Sequence, residues 1–222
     1  MITLPLQLRD GHLFVNLSGE LWLIDTGAPS SFGRSRRLNI AGESFQPDAG
    51  FGGLNPETLS DFVGVACAGL LGADILGRFD HVWDCAGGTL TVSTGELTHR
   101  GQSIPLDGFM GIPIITARIG ASDHRMFFDT GAQFSYFQSQ TLTGFRSVGR
   151  VTDFHPGFGQ FETELFEVQV SLGGIAFPLH CGSLPELLGL SLMMAGTEGI
   201  VGNAILNDRT VGYFPRRNTL VL

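Results

Sequence analysis

Leu23-Ile24-Asp25-Thr26-Gly27-Ala28 and Phe127-Phe128-Asp129-Thr130-Gly131-Ala132 are two copies of one pattern, an apolar run that ends in Asp-Thr-Gly-Ala. A carboxylate at the end of a buried strand, followed by a small residue and a glycine, reads as a sharp turn. A single Asp-Thr-Gly can close an ordinary hairpin, so the weight lies in the repetition. Each copy also has the same downstream partner, an apolar-apolar-Gly step: Leu70-Leu71-Gly72 in the first half and Ile200-Val201-Gly202 in the second. From there the match runs on without a gap. Trp83 answers Tyr213, and Thr89-Leu90 answers Thr219-Leu220, all at the offset 202 − 72 = 130. Upstream, Leu4-Pro5-Leu6 answers Ile104-Pro105-Leu106. The chain is an internal duplication.

The duplication divides the 222 residues near Thr94 to Gln102, into an N-terminal lobe 1–98 and a C-terminal lobe 99–222. Lobes of about a hundred residues are marginal alone, so the two are expected to share an interface and act as a monomeric unit. Hydrophobic residues make up 43% and charged residues 15%, which suits a packed core and excludes a disordered chain. The net charge of −8 excludes nucleic acid as a partner. No apolar run approaches the ~18 residues of a membrane helix. The start Met1-Ile2-Thr3-Leu4-Pro5 lacks the basic and apolar regions of a signal peptide, and the three cysteines, Cys67, Cys85 and Cys181, form no disulfide framework. A cytoplasmic protein is expected. The six histidines show no metal-ligand spacing, and the glycine-rich stretches lack the Lys-Ser/Thr of a phosphate loop, so neither metal nor cofactor is expected.

Along the chain the elements are short and separated by glycine turns, which implies an all-β architecture. Ile2 to Leu8 reads as an edge strand, and His12 to Leu17 with Glu20 to Ile24 as a hairpin over Ser18-Gly19. Pro56 opens a short helix, Val63 to Leu71 reads as a strand, and Ala73 to Phe79 as a brief helical segment. In the second half Thr163 to Val170 alternates as a strand, Gly173-Gly174 turns the chain back, and Leu184 to Met194 reads as a loop with one helical turn.

Asp-Thr-Gly-Ala followed by apolar-apolar-Gly, both duplicated in order, resembles the aspartic protease family of pepsin and retropepsin type, over essentially the whole chain. The resemblance implies two homologous lobes forming closed barrels about a pseudo-two-fold axis, and an aspartic endopeptidase that binds an extended peptide or protein substrate. Its catalytic pair would be Asp25 and Asp129. Two carboxylates a few ångströms apart cannot both ionise, and so share a proton, an effect for which this family is the standard example. Thr26 and Thr130 would tie the turns together, and Gly27 and Gly131 would let the backbones approach. The steps Leu70-Leu71-Gly72 and Ile200-Val201-Gly202 would support them. Ala28 and Ala132 stand where pepsin-like enzymes tend to carry a hydroxyl. Its absence implies activity at milder pH.

The halves differ in one respect. Asp25 to Gly72 spans 47 positions and Asp129 to Gly202 spans 73, so the second half carries 26 more. Aligning Leu38 to Phe45 with Val170 to Phe177 places the surplus before Val170. In the family a hairpin here, the flap, folds over the cleft. A flap over 148–164 is therefore expected on the second lobe and none on the first, with a tip at His155, Pro156, Gly157, Phe158 and Gly159. His155 itself reads as an exposed turn histidine. The competing reading is a catalytically silent peptide-binding or scaffolding protein on the same fold, since fold alone does not decide function.

Overall fold

The computed structural model describes residues 1–138, 140–155 and 158–222. The chain is all-β and two-lobed, built on a ten-stranded and an eight-stranded sheet with one small hairpin beside them.

The ten-stranded sheet joins the lobes. Its first six strands are, in order, Ser103–Pro105, Thr219–Val221, Thr210–Phe214, Asp80–Asp84, Thr89–Ser93 and Ile2–Arg9. The central antiparallel pair sets Val82 opposite Gly212, flanked by His81 opposite Tyr213 and Trp83 opposite Val211. At the offset of 130, Val82 and Gly212 are counterparts, so the pseudo-two-fold axis passes between them. The outer pairs follow the same symmetry: Leu4 opposes Leu90 in one half, and Ile104 opposes Leu220 in the other. The duplication is thus written into the hydrogen-bond register.

Each lobe then repeats one supersecondary unit. His12–Leu17 and Glu20–Ile24 form a hairpin, and the second strand runs parallel to Gly69–Leu71, with Leu23 beside Leu70. In the other lobe Ile112–Ile119 and Ser122–Phe128 do the same, with Phe127 beside Ile200. Even the entry turns match: Asp10-Gly11 has φ of 45° and 77°, and Met110-Gly111 has 53° and 83°. Two consecutive positive φ values define the hairpin turn that suits right-handed strand twist, and glycine takes the second of them without a Cβ clash.

Two elements differ from the sequence reading. Helix Pro56–Val63 occupies the start of the expected 63–71 strand, which is confined to Gly69–Leu71. Asn55 accepts from Thr58 N–H at 2.9 Å while the Thr58 hydroxyl side accepts from Asn55 N–H at 2.9 Å. This capping box, with Pro56 at the first position, nucleates a helix that β-branched Val63 cannot overrule. Gly64 at φ 68° then ends it. Likewise Glu186–Met194 is a two-turn helix rather than a loop. Its run Leu187-Leu188-Gly189-Leu190 has no polar period, so periodicity could not reveal it.

The surplus of the second lobe is a long hairpin, Arg146–His155 paired with Gly159–Leu172, in which His155 faces Gly159. Beyond it Val170 opposes Phe177, as Leu38 opposes Phe45 in the small hairpin of the first lobe. Between Phe32–Gly33 and Leu38–Ile40 the first lobe has only a short connection and no such hairpin.

The core runs continuously beneath both lobes. Trp83 and Tyr213 stack at 5.0 Å across the joining sheet, and Phe128, the residue before Asp129, lies 6.1 Å from Trp83. Fully buried Asp80 is held by guanidiniums of the other lobe, Arg216 at 2.9 Å and Arg217, and by Leu97 N–H at 2.9 Å. Burial opposes its ionisation, but the Leu97 N–H and the two guanidiniums hold its carboxyl below the usual range.

Asp80→Asn is expected to lower unfolding free energy by about 2–3 kcal/mol. That is below the usual cost of breaking a buried pair, because both guanidiniums can be rehydrated. A depressed folded pKa adds stability above the ordinary carboxylate pKa, and this is lost as pH falls through the folded value. The gap between parent and variant in urea denaturation should therefore narrow as pH is lowered below 4.

Candidate active site

Asp25 and Asp129 each follow a strand that ends inside the molecule, and each is anchored by the adjacent parallel strand. Asp25 N–H donates to Leu71 O at 3.0 Å, and Asp129 N–H to Val201 O at 3.0 Å. The chain then turns so tightly that the carboxylate receives its own backbone. Asp25 Oδ1 accepts from Gly27 and Ala28 N–H, both at 2.9 Å, and Asp129 Oδ1 accepts from Gly131 at 2.8 Å and Ala132 at 3.2 Å.

The two turns meet back to back. A Cβ placed on Gly27 would lie 2.2 Å from Asp129 Cγ, and one on Gly131 would lie 2.4 Å from Asp25 Cγ. No side chain fits there, so glycine at both positions is a condition for the carboxyls to face each other. Beneath them the threonines exchange bonds. Thr26 N–H donates to Thr130 Oγ1 at 3.0 Å and Thr130 N–H to Thr26 Oγ1 at 3.0 Å. Each hydroxyl donates in turn to a carbonyl of the other lobe, Thr26 to Phe128 O at 2.7 Å and Thr130 to Ile24 O at 2.8 Å. Both threonines are fully buried.

Gly72 and Gly202 pass close against the same turns. A Cβ would meet Ala28 O at 2.7 Å in one lobe and Ala132 O at 2.7 Å in the other. Two serines outside the quoted motifs complete the support: Ser31 Oγ accepts from Gly72 N–H at 2.8 Å and Ser135 Oγ from Gly202 N–H at 3.1 Å. Each stands six residues past its aspartate, a regularity the duplication itself carries. Residues unique to one lobe had no such signal. His12 Nδ1 lies 3.1 Å from Gly131 O, and the Asn203 amide donates to Gly11 O at 2.8 Å, so each bonds across the lobes.

The two carboxyl groups face each other across the turns and act on each other electrostatically. Burial, and next the charge of Asp129, push the Asp25 carboxyl well above its ordinary value. Burial also raises Asp129, restrained by bonds from Asp25, Gly131 and Ala132. Two carboxyls so placed favour sharing one proton, and they titrate as a unit. Ala28 and Ala132 give it backbone N–H donors and no hydroxyl.

The long hairpin arches over this floor. Tyr136 donates to Asp153 on the hairpin, tying it to its own lobe. Phe154 reaches the other lobe and stacks on Phe62 with centroids 4.7 Å apart. His155 is not an exposed turn residue. It is partly buried, lines the cavity with both aspartates, and has its pKa lowered by that burial against the pull of Asp129 and Asp153. Phe158 is 43% exposed and Gly159 adopts φ 88°, while Pro156 and Gly157 lie outside the described residues. The cavity over the pair measures about 80 Å³. Among the described residues no cluster of three or more His, Cys, Asp or Glu could hold a metal, and no helix is long and apolar enough to cross a membrane.

Two outcomes follow from this geometry. Thr26→Val leaves Thr130 N–H and Phe128 O unpaired in a dry interior, so a loss of about 2–5 kcal/mol is expected on chemical denaturation, with Thr26→Ser near the parent. The raised carboxyls give stability that is present below their ordinary pKa of 3.8 and lost as pH rises through the folded values. Asp25→Asn should therefore melt higher than the parent at pH 7, and this advantage should vanish below pH 4 in a series of thermal melts.

No protein-family model matches the chain, and no curated protein matches it significantly. Among solved structures it is similar to Basic 7S globulin from soybean, with a TM-score of 0.53 and 12% identity over 99% of this chain and 93% of that one. At that identity the likeness shows the fold alone, and this chain has the two-lobed, all-β, pepsin-like architecture.

Proposed function

We propose that the protein is an aspartic-type endopeptidase, with Asp25 and Asp129 as its catalytic residues. The observation that carries this reading is the pair of half-buried carboxyls brought face to face at the floor of a cleft that both lobes line. Such a pair supplies both halves of peptide hydrolysis. The ionised carboxylate takes a proton from a water held between the two groups, while the protonated partner hydrogen-bonds the scissile carbonyl oxygen. The water oxygen forms a bond to the carbonyl carbon. The C–N bond then breaks as a carboxyl proton passes to the leaving nitrogen, which returns the pair to one shared proton.

The backbone N–H groups at Gly27, Ala28, Gly131 and Ala132 hold one oxygen of each carboxylate and leave the others for chemistry. The hairpin Arg146–His155 with Gly159–Leu172 acts as the flap, and an extended peptide lies between it and the floor. Hydrolysis needs no metal or cofactor in this scheme, and one chain supplies both aspartates.

A second reading is a peptide-binding protein without catalysis. It is favoured by the small cavity beneath the hairpin and by a structural neighbour that is a globulin by name. Incubating the protein with a diverse peptide library across pH 3–8, a range spanning ordinary carboxylate and histidine titration, separates the two. Cleavage by the parent, abolished in both Asp25→Asn and Asp129→Asn, is the expected result. Binding without cleavage at every pH would establish the second reading. Rate should follow a bell in pH, because a pair with no proton or with two lacks one of the two roles. With no hydroxyl beside either carboxyl, the optimum is expected well above pH 2.

A further inference from the structure

The two lobes offer matching walls to the catalytic pair, and the matching is fixed by register. Phe14 opposes Leu23 as Ile114 opposes Phe127, which makes His12 the counterpart of Ile112. Leu23 lies beside Leu70 as Phe127 lies beside Ile200. On the second lobe this wall, closed off by Leu188 and Leu192, bounds an apolar pocket of about 220 Å³ next to Asp129 and Gly27. Its counterpart on the first lobe, with Leu23, Leu70 and Asp25, faces a cavity of about 80 Å³ that residues of both lobes line.

What takes up the difference is Phe154. This residue belongs to the second lobe, yet its ring packs against the first-lobe cluster that contains Leu23, Leu54, Leu59 and Leu70. It lies flat on Phe62 at 7° between ring planes and 6.4 Å from the His12 ring. Asp153, bonded to Tyr136, and the Phe154 N–H donating to Asp153 Oδ1 at 2.8 Å set the hairpin so that the ring enters the pocket. A side chain of one lobe thus intrudes on the apolar wall of the other and narrows the cavity there, its ring held by stacking and its hairpin by the Tyr136–Asp153 bond.

We propose that Phe154 is a built-in occupant of the first-lobe subsite, and that a polypeptide binds by replacing it with an aromatic or large apolar side chain next to the bond at the aspartates. This rests on the peptidase reading for the bond that is cut, though not for the exchange itself. The ring covers the face of Phe62 and packs on the first-lobe apolar cluster in the free protein, so withdrawing it uncovers apolar surface. An incoming aromatic side chain restores that burial, whereas a small or charged one leaves the pocket uncovered, and the difference is specificity. Self-occupancy also weakens apparent affinity, because only the fraction of molecules with the ring withdrawn can bind.

Calorimetric titration of the Asp129→Asn protein tests this with two octapeptides that differ only in Phe or Ala at the fourth residue. Adding Phe154→Ala should tighten the Phe peptide by roughly threefold to tenfold, the cost of one displaced stacked ring, and preserve the preference for Phe over Ala. Phe154→Leu, which keeps an apolar plug on the same hairpin, should fall between. Unchanged or weaker binding of the Phe peptide in both variants would overturn the proposal, because Phe154 would then be part of the wall. Cleavage by the parent without the tightening sinks the exchange and leaves the peptidase reading standing. Tightening without cleavage by the parent does the reverse.

Discussion

Two acidic side chains are forced together at the half-buried floor of a cleft, and the rest of the molecule is arranged around that imposition. Burying one carboxylate is unfavourable, and burying two within hydrogen-bonding distance is worse unless a proton is shared. The fold meets this with oriented donors. Four backbone N–H groups point at the two inner carboxylate oxygens, and the turns that supply them are locked by the crossed threonine bonds beneath. The glycines at 27 and 131 are the steric condition for all of this, since each turn occupies the space in which the other's Cβ would sit.

Stabilising such a site requires rigidity at some distance from it. The six strands that join the lobes supply this, with Trp83, Tyr213 and Phe128 packed between that sheet and the active turns. The latch from Asp80 to Arg216 and Arg217 exists on one side only. Its counterpart position is Thr210, so the joint is symmetric in backbone and asymmetric in charge. The same division recurs at the cleft. Strand registers match between the lobes almost residue for residue, while the hairpin, Tyr136, Asp153 and His12 each occur once. Symmetry builds the floor and asymmetry furnishes the cleft above it.

Much of the floor was legible in the chain because it is repeated. A motif that recurs with the same spacing constrains geometry twice, which is why the aspartates, threonines and glycines could be named from sequence and why the alignment of 38–45 with 170–177 reappears as matched hairpins. Ser31 and Ser135 carried the same signal at a fixed distance from each aspartate. The helix over 56–63 was placed at its Pro start, but its extent depended on the Asn55–Thr58 box, whose weight against β-branched Val63 a pattern does not reveal.

The sequence by itself determined the duplicated all-β plan, the pairing of Asp25 with Asp129 as counterparts, and the location of the surplus hairpin. These follow from local spacing, since period-2 alternation, glycine turns and a constant offset are properties of the chain read in order. The tertiary structure alone decided what the single-copy residues touch. Phe154 stacks on Phe62 of the opposite lobe, His12 bonds a turn more than a hundred positions away, and His155 faces the cavity instead of solvent. Those contacts join segments with no common period, and only the folding of one lobe against the other sets the distances between them.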